Sequence, residues 1–184
     1  RLSFSNCLKF KHNDMDSLEK TLKTCAPDKI KLIVVDGVFS MEGEPLSETA
    51  EALLTAGKDF PGADCALSQI DPYLQSLATD HARYMARACQ GGHQHFSRRF
   101  RMVLEHFGQQ VTCSEIAAQS WKHEDDEPLA VLGASMWKSW RQSSGHWRVA
   151  SKRHEAIGAE MARGRNGIWY GTILVVDGTK PKEV

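Results

Sequence analysis

Apolar residues along this chain follow two different patterns, and the change comes near residue 60. In the first part, Met15, Leu18, Leu22 and Cys25 recur at helical spacing behind Asn13 or Asp14, either of which can cap a helix, and Pro27-Asp28 ends it. Lys29 to Asp36 then reads as a strand whose Leu32-Ile33-Val34-Val35 centre is apolar on both faces, as in the middle of a parallel sheet. A loop with two glycines and a proline, Gly37 to Pro45, leads to Ser47, which can cap a short helix through Ala50 and Leu53 to Gly57. One strand cannot cover its own two faces, so residues 1–60 read as a partial α/β segment.

Pro61-Gly62 marks a linker, taken as residues 61–72. Beyond it helices follow one another. Leu74, Leu77, Ala78, His81, Met85 and Ala88 form one stripe, broken by Gly91-Gly92. Phe100, Val103, Leu104 and Phe107 form a second that ends at Gly108, and Leu129, Leu132, Met136, Trp137 and Trp140 a third, entered with Pro128 in its first turn. Strands Ile157 to Met161 and Ile168 to Val176 flank Arg163-Gly164-Arg165-Asn166-Gly167, a hairpin signature. This order predicts an α+β sandwich over residues 73–178, with 179–184 as a short tail.

Composition narrows the function classes. A chain of 184 residues holds one good core, in one or two small domains. Its 23 basic and 23 acidic residues cancel, so no global field draws nucleic acid, and Arg98-Arg99 is too short to be a patch for it. The longest apolar run, Ile30 to Val35, is broken by Lys31 and cannot span a bilayer. No signal peptide or other targeting signal is readable after Arg1. The five cysteines lack Cys-x-x-Cys spacing and are no disulfide framework.

Candidate chemistry rests on three residues: His93 in Gly91-Gly92-His93-Gln94, Glu115 in Ser114-Glu115-Ile116, and His146 in Ser144-Gly145-His146-Trp147. Two imidazoles and a carboxylate on separate elements can converge on one divalent ion, leaving a fourth position for water. Such convergence would also bring Cys89 and Cys113 near enough for a disulfide. The competing reading is structural, with each histidine holding a turn beside a glycine and Glu115 serving a helix N-terminus. His81 falls on an apolar stripe as a core histidine, and His95 would point elsewhere at the surface. His123-Glu124-Asp125-Asp126-Glu127 lacks calcium-loop spacing and reads as a solvated acidic loop.

From about Tyr73 to Asp177 these motifs, in this order, resemble the CAP superfamily of cysteine-rich secretory, antigen 5 and plant pathogenesis-related class 1 proteins. Met85-Ala86-Arg87-Ala88 closes a helix before Gly92-His93-Gln94, Glu115-Ile116-Ala117-Ala118 follows, and Trp140, Ser143, Gly145 and His146 close another. Ser144 stands where bacterial members have proline, and Ile116 where many have asparagine. The resemblance implies an α-β-α sandwich of CAP type and a binding module. Its cleft of His93, Glu115 and His146 would hold zinc or another divalent metal, its ligand would be a small molecule, lipid or protein, and the protein would be secreted. A metal-dependent hydrolase using that cleft is the alternative, although no Gly-x-Ser-x-Gly elbow is present.

Residues 1–48 carry a different likeness. Phe10-x-His12-Asn13-Asp14-Met15-Asp16, followed by Val35-Asp36-Gly37-Val38-Phe39-Ser40-Met41, is similar to the α-oxoamine synthases, which use pyridoxal phosphate to condense amino acids with acyl thioesters. Ser40 matches a serine of that family's cofactor pocket. The Schiff-base lysine, the pyridinium-pairing aspartate and the phosphate loop have no counterpart. The resemblance therefore implies a joined fragment or remnant of a pyridoxal-phosphate-dependent acyl-CoA:amino acid C-acyltransferase, with no cofactor binding expected.

Overall fold

The computed structural model describes residues 8, 15–26, 45–121 and 127–179, and the chain divides into two units, Arg1–Gly37 and Val38–Val184. In the first unit, α1 (Met15–Lys23) covers the helix expected there, with Thr21 Oγ1 donating to the Ser17 carbonyl at 2.8 Å. The expected strand Lys29 to Asp36, the loop holding Ser40 and the capping candidates Asn13 and Asp14 lie outside the described residues.

The second unit is an α+β fold around a mixed sheet. Its elements run α2 (Glu48–Lys58), a 3-10 turn (Asp64–Leu67), β1 (Gln69–Ile70), α3 (Pro72–Ala88), α4 (Phe96–Phe107) and β2 (Thr112–Gln119). Then come α5 (Leu129–Arg141), α6 (Ser144–Ala150), β3 (Ala156–Arg163) and β4 (Trp169–Asp177). The four strands lie in the order β1-β3-β4-β2, with β1 parallel to β3 and the other pairs antiparallel. The β3–β4 hairpin is the one the turn residues predicted.

Strand alternation sends side chains to opposite faces, and each face has its own helices. Ile116, Ile157, Ile173 and Val175 pack with Leu53, Leu132, Met136, Trp137 and Trp140 of α2 and α5. Leu174 and Val176 pack with Leu74, Leu77 and Val103 of α3 and α4. The result is three layers, helices on both sides of the sheet. On β3, a Cβ at Gly158 would lie 2.1 Å from the Leu74 carbonyl carbon, so only glycine lets α3 approach this closely.

Four sequence expectations need correction. The body reaches back well before residue 73. Ser47 caps α2 and donates to Glu160 Oε2 at 2.7 Å, Thr49 Oγ1 donates to Glu160 Oε1 at 2.6 Å, and Trp137 Nε1 donates to the Leu53 carbonyl at 2.8 Å. Residues 61–72, expected as a linker, instead carry the 3-10 turn, β1 and the Asp71 cap of α3, with Cys65 and Ala66 in the core. Pro61-Gly62 is a turn inside the packed body, where Gly62 takes φ +76°. Finally, Glu115 lies in a strand rather than at a helix start, and Pro128 is the N-cap of α5 rather than a first-turn residue. Among the described residues, no helix is long and apolar enough to cross a membrane.

Candidate functional site

Three elements bring the histidines and Glu115 together. The α3 stripe ends in a left-handed Cys89 (φ 52°), and Gly92 (φ 135°) then turns the chain so that His93 stands at the loop tip. That loop is pinned from below: buried His81 on α3 donates from Nε2 to the Gly92 carbonyl at 2.9 Å. Glu115 comes from β2, on the face shared with Cys113 and Ala117. His146 comes from the first turn of α6, where neighbouring Trp147 is held edge-on to Phe60 and under the Arg141 guanidinium at 4.3 Å.

His93 and His146 face one another with ring centroids 5.8 Å apart. The His93 side chain is 46 % exposed, while that of Glu115 is 2 % exposed behind it. Glu115 Oε1 meets His93 Nδ1 at 3.0 Å and accepts from Arg99 Nη2 at 2.9 Å, and Oε2 accepts from Arg99 Nε at 2.7 Å. Arg99 also donates from Nη1 to the Gln94 carbonyl at 2.8 Å, tying α4, the His93 loop and β2 into one cluster. A bidentate arginine on a buried carboxylate is the strong form of such a contact.

This arrangement corrects the three-ligand expectation. Among the described residues, no three His, Cys, Asp or Glu side chains are disposed to hold one ion. Both Glu115 oxygens are turned to Arg99 and His93, so the carboxylate orients an imidazole instead of presenting lone pairs to a cleft. Sequence spacing singles out neither Arg99 nor His81 as a site residue. Arg99 carried a usable signal, since it sits four positions before Val103 on the buried stripe of α4. His95 is exposed, as expected, and its ring meets that of Tyr84 edge-on at 5.1 Å.

Electrostatics follow from burial and partners. Burial opposes the Glu115 charge, but hydrogen bonds from His93 and Arg99 and the charges of His81 and Arg99 outweigh it and hold its carboxyl below the usual range. Burial lowers His81, although the Glu115 charge pulls the other way, and burial with the His93 charge lowers His146. Cys89 and Cys113 are both free thiols, so the disulfide considered between them is not formed. Burial and then the Glu115 charge push the Cys113 thiol up to about 12.

The downward shifts set the sign of a pH effect, because the unfolded chain binds more protons in each window. For His81 and His146 the stability is full above the ordinary histidine value of 6.5 and is lost as pH falls below it. For Glu115 it is full above 4.5 and lost as pH falls through the lower folded-state value. Thermal melts of metal-free protein should therefore show Tm falling between about pH 7.5 and about pH 5.5, and falling again below about pH 4.5. His81→Gln should flatten the first decline. A Tm that rises on mild acidification would run against this assignment.

No family model matches the chain. Over 44 residues at its N-terminal end it is 70 % identical to serine palmitoyltransferase of Bacteroides ovatus, which covers 24 % of this chain and 11 % of that enzyme. It is 49 % identical over 53 residues to a putative 8-amino-7-oxononanoate synthase of Geobacillus kaustophilus, covering 28 % of this chain and 14 % of the relative. The chain thus spans about a ninth of the length of the first of these curated relatives. Among solved structures it is similar to an outer surface protein of Borrelia burgdorferi, with TM-score 0.52 and 16 % identity over 73 % of this chain and 97 % of that one, a likeness of fold. A short N-terminal segment therefore resembles a fragment of a pyridoxal-phosphate-dependent α-oxoamine synthase, while the fold is similar to that of a bacterial outer surface protein.

Proposed function

We propose that the second unit is a CAP-type binding module whose recognition cleft lies between His93 and His146, and that the two imidazoles take a divalent cation such as zinc. One observation carries this reading: His93 gives Nδ1 to a buried carboxylate while its ring stands 5.8 Å from that of His146. A ligating histidine ordinarily engages a carboxylate through its second nitrogen, which fixes its tautomer and raises its basicity. Two imidazoles sharing an ion at ~2.0–2.1 Å hold ring centres roughly 5–6.5 Å apart, and the spacing of this pair supports the reading. Glu115 does not fit as a third ligand and serves as the orienting group, itself anchored by Arg99. When bound, the ion supplies positive charge that attracts and polarises an oxygen-bearing ligand.

Calorimetric titration with zinc tests the proposal. His93→Ala and His146→Ala should each weaken binding by about tenfold or more, while His95→Ala should leave it nearly unchanged. Equal losses in all three variants, or no zinc binding by the unmodified protein, would count against it.

For the N-terminal segment we propose descent from, or fusion to, α-oxoamine-synthase sequence without cofactor chemistry of its own. The support is the small share of those enzymes that the segment matches. Ser40, the residue of interest there, lies outside the described residues.

A further inference from the structure

We propose that an arginine-lined groove, separate from the histidine cleft, binds a compact phosphate group. The groove encloses about 520 Å³ and is lined by Arg83, Ala86 and Arg87 of α3 and by Ala162, Arg163 and Arg165 of the β3–β4 hairpin. Arg83 and Arg87 are one helical turn apart and so lie on one face. Arg163 closes β3, and Arg165 sits in the turn. Two alanines leave the floor small and apolar.

Three features distinguish this groove from an ordinary charged surface. The chain as a whole is neutral, so four arginines around one groove are not the by-product of a basic protein. Among the described residues, no carboxylate lies within ion-pair distance of Arg83, Arg87 or Arg165, whose charges are therefore available to an external anion. The turn that presents Arg165 is also braced. Gly164 donates to the Ile168 carbonyl at 2.8 Å, Asn166 Nδ2 donates to the Tyr170 hydroxyl at 2.9 Å, and a Cβ on Gly164 would lie 3.0 Å from the Ala86 carbonyl oxygen. A turn seated this closely on α3 has little freedom left to lose on binding.

The chemistry of the lining selects the ligand class. Guanidinium forks match phosphate oxygens in bidentate fashion, and a groove of this size suits a small, multiply charged group. Among the described residues no aromatic side chain lines it, so they offer no stacking platform for a nucleic-acid base. The C-terminus of α3 contributes a partial negative charge of roughly half a unit, which the guanidiniums of Arg83, Arg87 and Arg165 outweigh. A phosphorylated metabolite and a phosphate-bearing lipid headgroup present the same chemistry here.

Inorganic pyrophosphate is the probe, titrated into the full chain at about 0.15 M salt so that diffuse attraction is screened. Saturable binding is expected, with amide shifts centred on Ala86, Arg87 and Arg165. Arg87→Ala and Arg165→Ala, both at exposed positions, should each weaken it by about fivefold or more. Arg153→Ala, also exposed but outside the groove, should change it by less than about twofold. Co-sedimentation with phosphatidic acid vesicles but not with phosphatidylcholine vesicles, lost in both groove variants, would assign the phosphate to a lipid headgroup. Pyrophosphate binding without vesicle capture would assign it to a soluble ligand. Absence of saturable binding, or equal weakening by Arg153→Ala, would overturn the proposal.

Discussion

Removing residues 1–60 should leave a chain that cannot fold, whereas removing residues 1–44 should leave one that melts cooperatively. The longer truncation takes away α2, whose Leu53 and Leu54 are 0 % and 3 % exposed in the core shared with α5. Losing a buried leucine side chain costs roughly 2–5 kcal/mol. Trp137 would lose its acceptor at Leu53, and buried Glu160 would lose the hydroxyls of Ser47 and Thr49. Each polar group left unpaired adds about 1–3 kcal/mol. Together these terms rival the ~5–15 kcal/mol that holds a typical domain folded. The shorter truncation keeps Ser47 and all of α2. Near-ultraviolet circular dichroism with a urea melt distinguishes the two, and a cooperative transition in the 61–184 chain would show that α2 is dispensable. The sequence pattern, which sets a boundary near residue 60, expects that opposite result.

Glu115→Ala should be among the most damaging single substitutions in the second unit. It leaves the Arg99 guanidinium in a site where the residue is only 8 % exposed, stripped of its two contacts to the carboxylate. Breaking a buried pair by removing one partner costs about 3–5 kcal/mol, which for a body of this size lowers Tm by roughly 10–15 °C. Glu115→Gln, which keeps an acceptor of the same shape, should cost less. Adding Arg99→Ala to Glu115→Ala should cost less than the two separate losses summed, by about 1 kcal/mol or more, because the uncompensated charge goes too. A Tm within a degree or two of the unmodified protein for Glu115→Ala would mean that the cluster contributes little to stability.

Much of this architecture was legible in the chain because it rests on periodicity. The stripes through Leu74 to Met85 and Leu132 to Trp140 became α3 and α5, and the glycine-asparagine turn became the β3–β4 hairpin. Two features escaped. β2 escaped because Thr112–Gln119 mixes Cys113, Glu115 and alanines on its two faces, and small residues give little alternation to read. The place of α2 escaped because Pro61-Gly62 looks the same in a linker and in a tight turn, and only packing against Trp137 decides between them. At the site, sequence spacing pointed to His93 and His146, whose rings lie 5.8 Å apart and tilted by 41° in the fold. The role of Glu115 depended on Arg99, a residue on α4 that no local motif connects to that strand.

The most direct measurement is an anomalous-scattering map from crystals of the full chain soaked in zinc. The proposed cleft places the ion within ~2.0–2.2 Å of one nitrogen of each of His93 and His146, with Glu115 still holding His93 Nδ1 and Arg99. An ion ligated by Glu115 with Arg99 swung away, or zinc bound only at residues outside this cleft, would contradict it.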